Sequence, residues 1–173
     1  MTLPGPSEAE IEEIVRIAAR TPDHGKLNPW RFVHVPQSAR PALVDLLHRA
    51  LRAEDKQPSQ AELDLAERFA KQAPELIVAL SSPVVPHKIS LWEQQLSCGA
   101  ACMNLLMAAH AMGYSAGWIT GWPAYSDMVR NAFGGPDDRI AGFIFIGTPS
   151  LPLEERPRPA LENVFSRWGE DQS

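Results

Sequence analysis

Apolar residues recur every three or four positions in several stretches of the chain, and polar start signals introduce them. Ser7 with Glu10, Ser59 with Glu62, and Ser90 with Glu93 each have Ser-x-x-Glu spacing. That is the spacing of a capping box, in which the serine oxygen accepts from an orphan amide and the glutamate reaches back. After the first signal, Ile11, Ile14, Val15 and Ala18 share a helical face. That helix is expected to end near Arg20, because Pro22 disfavours helical backbone at Thr21. After the second, Leu63, Ala66, Phe69, Ala70 and Ala73 form a stripe that stops at Pro74. A further helix is expected near Ser38 to Ala53, with Pro41 in its first turn and Leu43, Leu46, Leu47, Ala50 and Leu51 inward.

The third signal introduces a different pattern. From Leu96 to Met112 the chain is apolar all round, with Gly99, Ala100, Ala101, Ala108, Ala109 and Ala111 as small residues. A helix apolar on every side must be enclosed on every side, by its own fold or by a second subunit. Gly113 is its expected C-terminal cap. Strands are expected at Arg31 to Val35, Leu76 to Ser81, Ala116 to Thr120 and Ile140 to Ile146. A last helix covers Ser126 to Phe133, ended by Gly134-Gly135. The strands do not alternate with single helices, so an α+β sandwich is expected rather than a doubly wound parallel sheet.

Composition narrows the function classes. The 173 residues suit one domain, expected over residues 1–148. The stretch 149–173 holds four prolines by Pro159, then Phe165 and Trp168, and is expected to dock as an arm on its own domain or on a partner. The net charge of −5 argues against a nucleic-acid binder. A secretory signal and a membrane-length apolar run are not expected, so a cytoplasmic location without a membrane partner is the simplest reading. The five histidines lack zinc spacing, and Cys98 and Cys102 read as small core residues. There is no phosphate-binding glycine loop of Gly-x₄-Gly-Lys or Gly-x-Gly-x-x-Gly type and no serine-hydrolase elbow. The stretch from Arg20 to Phe32 stands out. It is a proline-stiffened loop carrying Arg20, His24, Lys26 and Asn28, suited to present fixed donors to an anionic or carbonyl-rich ligand. A solvated turn leading into Trp30 fits equally well.

Four blocks in order resemble a known family. Thr21-Pro22-Asp23-His24, then Asn28-Pro29-Trp30-x-Phe32, is similar to a segment of the nitroreductase-like flavoproteins, in their short NAD(P)H nitroreductase branch. Trp92 to Ser97 with the small-residue helix resembles that branch's central helix. Gly113-Tyr114 through Trp118-Ile119-Thr120-Gly121 resembles its flavin-edge strand, and Gly142 to Pro149 its last core strand.

The resemblance implies a nitroreductase-like sandwich with a mixed central sheet and flanking helices, in an intertwined homodimer with FMN at the interface. It implies electron transfer from NAD(P)H to nitroaromatic, quinone or similar small acceptors by ping-pong hydride transfer. Arg20 and His24 carry over as flavin contacts, Asn28 as a residue facing the ring, and Trp118, Ile119 and Thr120 as the strand along it. The branch often has Arg where Ile119 stands. Ala108 to Gly113 corresponds to a nicotinamide-nucleotide region, and Arg156 or Arg158 to basic residues that hold the phosphate. The physics agrees with a flat, largely apolar ring that needs small walls and donors where negative charge accumulates on reduction.

The family usually opens with an Arg-Arg-Ser-like phosphate motif, where this chain has Met1 to Ser7. Other basic residues would then substitute, or the sequence starts late, or the site has decayed. In the last case the chain is a non-catalytic dimer of the same fold, or a small-molecule binder that has lost tight FMN binding.

Overall fold

The computed structural model describes residues 1–53, 57–152 and 155–169. The elements in chain order are α1 (Glu8–Ala18), β1 (Trp30–Val35), α2 (Arg40–Ala53), α3 (Gln60–Lys71), β2 (Glu75–Ser81), α4 (Leu91–Ala111), β3 (Ser115–Ile119), α5 (Asp127–Phe133) and β4 (Arg139–Gly147). Each expected helix and strand is present. The second helix opens with a 3-10 turn, Gln37–Ala39, and Thr120 lies just beyond β3. Gly113 takes the left-handed conformation (φ +88°), and its amide bonds the His110 carbonyl at 2.9 Å, closing α4.

The strands form one sheet in the order β1-β2-β4-β3, and every neighbouring pair among the described residues is antiparallel. This corrects the expectation of a mixed sheet. Between β1 and β2 stand two helices, which return the chain to the end where β1 stopped, so β2 runs back along it. The single helix α4 makes β2 and β3 parallel to one another, but β4 inserts between them and no parallel neighbours arise.

Alternation along the strands builds two cores. Leu76, Val78, Leu80, Phe143 and Phe145 face α2 and α3. The Phe69 ring meets Phe143 and Phe145 edge-on, with ring centres 5.1 and 5.4 Å apart. Ile77, Ala79, Ile144 and Ile146 face α1 and α4. Cys98 and Cys102 are buried free thiols in that second core, and the hydrogen bond with the neighbouring Cys98, then burial, pushes the Cys102 thiol up.

α4 is enclosed on one side only. Cys98, Ala101, Cys102, Leu105, Ala108 and Ala109 are buried, whereas Trp92, Leu96, Met103 and Met107 are 67, 53, 48 and 53% exposed. At its C-terminal end, His110 Nε2 accepts the amide of Ala116 on β3 at 3.2 Å. The described part of 149–173 lies outside the helices and strands except for a 3-10 turn at Leu161–Asn163, and its residues are exposed, Trp168 fully so.

Where β1 ends and β2 begins, the buried Arg40 guanidinium donates to three carbonyls. These are Val35 O at 3.0 Å, Ala70 O at 2.5 Å and Pro74 O at 3.2 Å. Desolvation holds its pKa below the ordinary value.

Candidate active site

The opposite end of the sheet gathers Trp30 of β1, Ser81 of β2, Arg139 of β4 and Ile119 of β3. The loop from α1 to β1 covers the β1 corner of it. Asp23 organises that loop, its Oδ2 accepting from the amides of Leu27 and of Asn28 (3.0 Å for Asn28). The tight path requires left-handed backbone at Gly25 (φ +83°), Lys26 (φ +56°) and Asn28 (φ +50°). Gly25 also has no room for a side chain, since a Cβ there would lie 2.4 Å from Ile89 Cδ1. Left-handed Lys26 costs roughly 1–2 kcal/mol, the kind of local strain that clusters at ligand sites.

Helix α4 grips this loop from the side. Asn104 Nδ2 donates to Thr21 Oγ1 at 2.7 Å, Ser97 Oγ donates to the Pro22 carbonyl at 2.8 Å, and His24 Nδ1 meets Glu93 Oε2 at 2.7 Å. The hydrogen bond from His24, and secondly that from Ser90, hold the Glu93 carboxyl below its ordinary pKa. The Arg20 and Lys26 side chains are exposed and have no hydrogen-bond or ion-pair partner among the described residues. The Asn28 side chain reaches the Lys26 carbonyl at 3.4 Å. Just behind the loop, Ser82 N donates to Pro29 O at 3.0 Å, the Ser82 hydroxyl has no partner among the described residues, and the Ser81 hydroxyl interacts with the buried Cys98 thiol.

Arg20, His24 and Asn28 therefore share this one loop. Trp118, Ile119 and Thr120 lie at the same end of the sheet but along its other edge, three strand spacings or about 14 Å away. Trp118 lies flat over Gly142 on the α4 face, its Nε1 donating to Ala141 O at 2.9 Å. A Cβ at position 142 would stand 2.1 Å from that nitrogen. Ile119 points to the other face, where it lines an apolar groove of about 420 Å³ with Leu65, Phe69, Trp122 and Pro123. Arg158 pairs with Glu155 at 2.7 Å on the exposed arm, and Arg156 lies beside it. Sequence reasoning missed Glu93, Ser97 and Asn104 as partners of the loop. The available signal was three polar residues recurring on one flank of an apolar helix.

A model of the Nitroreductase family matches residues 2–148. The chain belongs to the nitroreductase family. As a nitroreductase-family protein it is an oxidoreductase. It is 34% identical over 152 residues to "Putative NAD(P)H nitroreductase YdjA" of Escherichia coli K12, covering 86% of this chain and 80% of that protein. It is 36% identical over 161 residues to "Putative NAD(P)H nitroreductase" of Haemophilus influenzae, covering 91 and 86%. The fold matches the crystal structure of a nitroreductase-like family protein from Bacillus cereus, with a TM-score of 0.82 at 20% identity over 96% of this chain and 88% of that one. This nitroreductase fold bears out the α+β sandwich expected from the pattern. Among the described residues, no helix is long and apolar enough to cross a membrane.

Proposed function

We propose that the protein is an FMN-dependent homodimeric oxidoreductase that passes electrons from NAD(P)H to nitroaromatic, quinone or similar small acceptors. The observation that carries this reading is the sheet end itself, with a strained, α4-braced loop of outward donors. Family membership agrees, as does a structural neighbour described as an FMN and NADPH-dependent nitroreductase, with a TM-score of 0.73 at 17% identity.

FMN, when bound, supplies the two-electron chemistry that couples donor and acceptor in ping-pong order. The donor set fits such a group. Arg20 and Lys26 bring positive charge without an internal partner to neutralise it, which suits a ligand whose negative charge grows on reduction. Asn28 supplies an amide that can both donate and accept. His24 offers an imidazole nitrogen, and Trp118 an apolar wall. The reading gives Ile119 and Thr120 backbone contacts, because the Ile119 side chain is occupied in the groove on the other face. It gives Arg156 and Arg158 a phosphate contact reached through the arm of the same chain or its partner.

The dimer is supported by unspent apolar surface. Trp92, Leu96, Met103 and Met107 run down one side of α4, and Gly99 in the same stripe has open space around it. A second copy seated on that stripe would lie beside Ser97 and the loop, closing the candidate site.

Titration of the purified protein with FMN tests the reading. Binding should quench the flavin fluorescence, and NADH or NADPH under anaerobic conditions should then bleach the flavin absorbance. A protein that binds no FMN overturns the proposal, and one that binds it but is reduced by neither nucleotide leaves only the non-catalytic dimer. Sedimentation should give a dimer that Met103→Glu with Met107→Glu converts to monomer. A monomeric unmodified protein overturns the dimer.

A further inference from the structure

The chain repeats one local motif three times and so provides its own control. At the starts of α1 and α3 the glutamate carboxylate closes on the capping serine's backbone amide, Glu10 at 2.8 Å and Glu62 at 2.7 Å. Both are complete capping boxes. At the start of α4, Ser90 Oγ still accepts the Glu93 amide at 3.2 Å, but the box is incomplete: the return interaction from the Ser90 amide is the weakest of those that stabilise the Glu93 carboxylate, whereas the matching one leads at Glu10. Glu93 Oε1 takes the Ser90 hydroxyl at 3.2 Å, and Oε2 takes His24 Nδ1. The third signal caps its helix but does not close the box. Its carboxylate has been diverted from capping its own helix to a histidine 69 residues upstream.

The diversion has a chemical consequence. An ionised carboxylate only accepts, so the bridging proton resides on Nδ1. In the neutral ring Nε2 is then an unprotonated acceptor, and it has no partner among the described residues. Glu93, Ser97 and Asn104 fall within an arc of about 40° on α4 at 3.6 residues per turn. They hold His24, Pro22 and Thr21 respectively. This seam runs between the buried side of α4 and its exposed apolar stripe.

We propose that Glu93 is a positioning residue that fixes the tautomer and direction of His24. Its Nε2 is thereby presented to the cofactor as an acceptor for a ligand N–H or O–H, while Ser97 and Asn104 hold the loop beneath it. The identity of the ligand rests on the flavin reading, and the tautomer does not.

Two measurements on the full chain separate these. Long-range ¹⁵N–¹H spectra of the flavin-free protein at about pH 8, where imidazole is neutral, report the tautomer, with His24 assigned by its loss in His24→Ala. The Nδ1–H form is expected in the unmodified protein and in Glu93→Gln, whose amide oxygen still accepts. Glu93→Ala should revert to the Nε2–H form of a free ring. In FMN titrations Glu93→Ala should raise Kd about tenfold, the loss of one charge-assisted hydrogen bond. Glu93→Gln should rescue it, and the Glu93→Ala/His24→Ala pair should bind no more weakly than His24→Ala alone. Ser90→Ala, which removes the cap and leaves His24 its partner, should lower Tm without changing the tautomer.

An Nε2–H ring in the unmodified protein, full additivity of the two substitutions, or a Ser90→Ala effect on Kd equal to that of Glu93→Ala overturns the proposal. If no protein in the series binds FMN, the flavin reading fails, while the tautomer still decides the role of Glu93.

Discussion

At one end of the sheet Arg40 donates to three carbonyls, Thr2 bridges to Thr148, and His34 bonds Glu75 at 2.7 Å. At the other end Arg20 and Lys26 are exposed without a partner among the described residues, and three residues of one loop have left-handed backbone. The same four strands pass through both. Polar groups at the first end are consumed by folding, whereas charged side chains of the loop at the second are left without partners. Under the proposed function, stability and ligand binding fall to opposite ends of one sheet, so that a strained loop sits on a well-satisfied frame.

Substitutions can break this contrast. Arg40→Ala should cost the most, about 3–5 kcal/mol, because it strands three carbonyls and opens a cavity. Urea unfolding measures it, and Arg40→Lys should recover part. A loss below about 1 kcal/mol would mean that the frame does not depend on this residue. Gly142→Ala comes next at about 1–3 kcal/mol, since the added methyl must evict Trp118. A red-shifted tryptophan emission should accompany it, and an unchanged spectrum would contradict the close approach.

Acid should act more weakly. Glu10, Glu67 and Glu93 are held below the ordinary carboxylate value of 4.5, by Ser7, Lys71 and His24 respectively as the leading causes. They bind fewer protons folded than unfolded. Their contribution is complete above that ordinary value and declines as pH falls through the lowered ones. Urea midpoints between pH 3 and 7 should show the decline, and Glu10→Gln should flatten it. Ser82→Ala should change stability least, within about 0.5 kcal/mol, because no side-chain bond is lost. If it costs more than about 1 kcal/mol, the polar groups of the site end are consumed by folding no less than those around Arg40, and the contrast fails.

Local features were legible in the residues. The Ser-x-x-Glu signals mark three helix starts, and Leu76 to Ser81 and Ile140 to Ile146 announce buried strands. The donor loop declared itself through its prolines and its cluster of Arg20, His24, Lys26 and Asn28. What escaped was non-local. The insertion of β4 between β2 and β3 decides the sheet's sense, and nothing in either strand encodes its neighbour. Glu93 reads as a cap until His24 arrives from far upstream. Nothing in the sequence singles out Arg40, because its three carbonyls come from β1, α3 and the entry to β2. Trp118 and Ile119 are adjacent in sequence, but alternation sends them to opposite faces.

The bond from Ala116 to His110 bears on solubility. β3 is the last strand of its sheet, and an outermost strand with free amides invites another chain to add itself. His110 occupies one of those amides with a side chain from α4. A newcomer would have to break that bond before making its own, so the helix acts as a stopper against edge-to-edge aggregation.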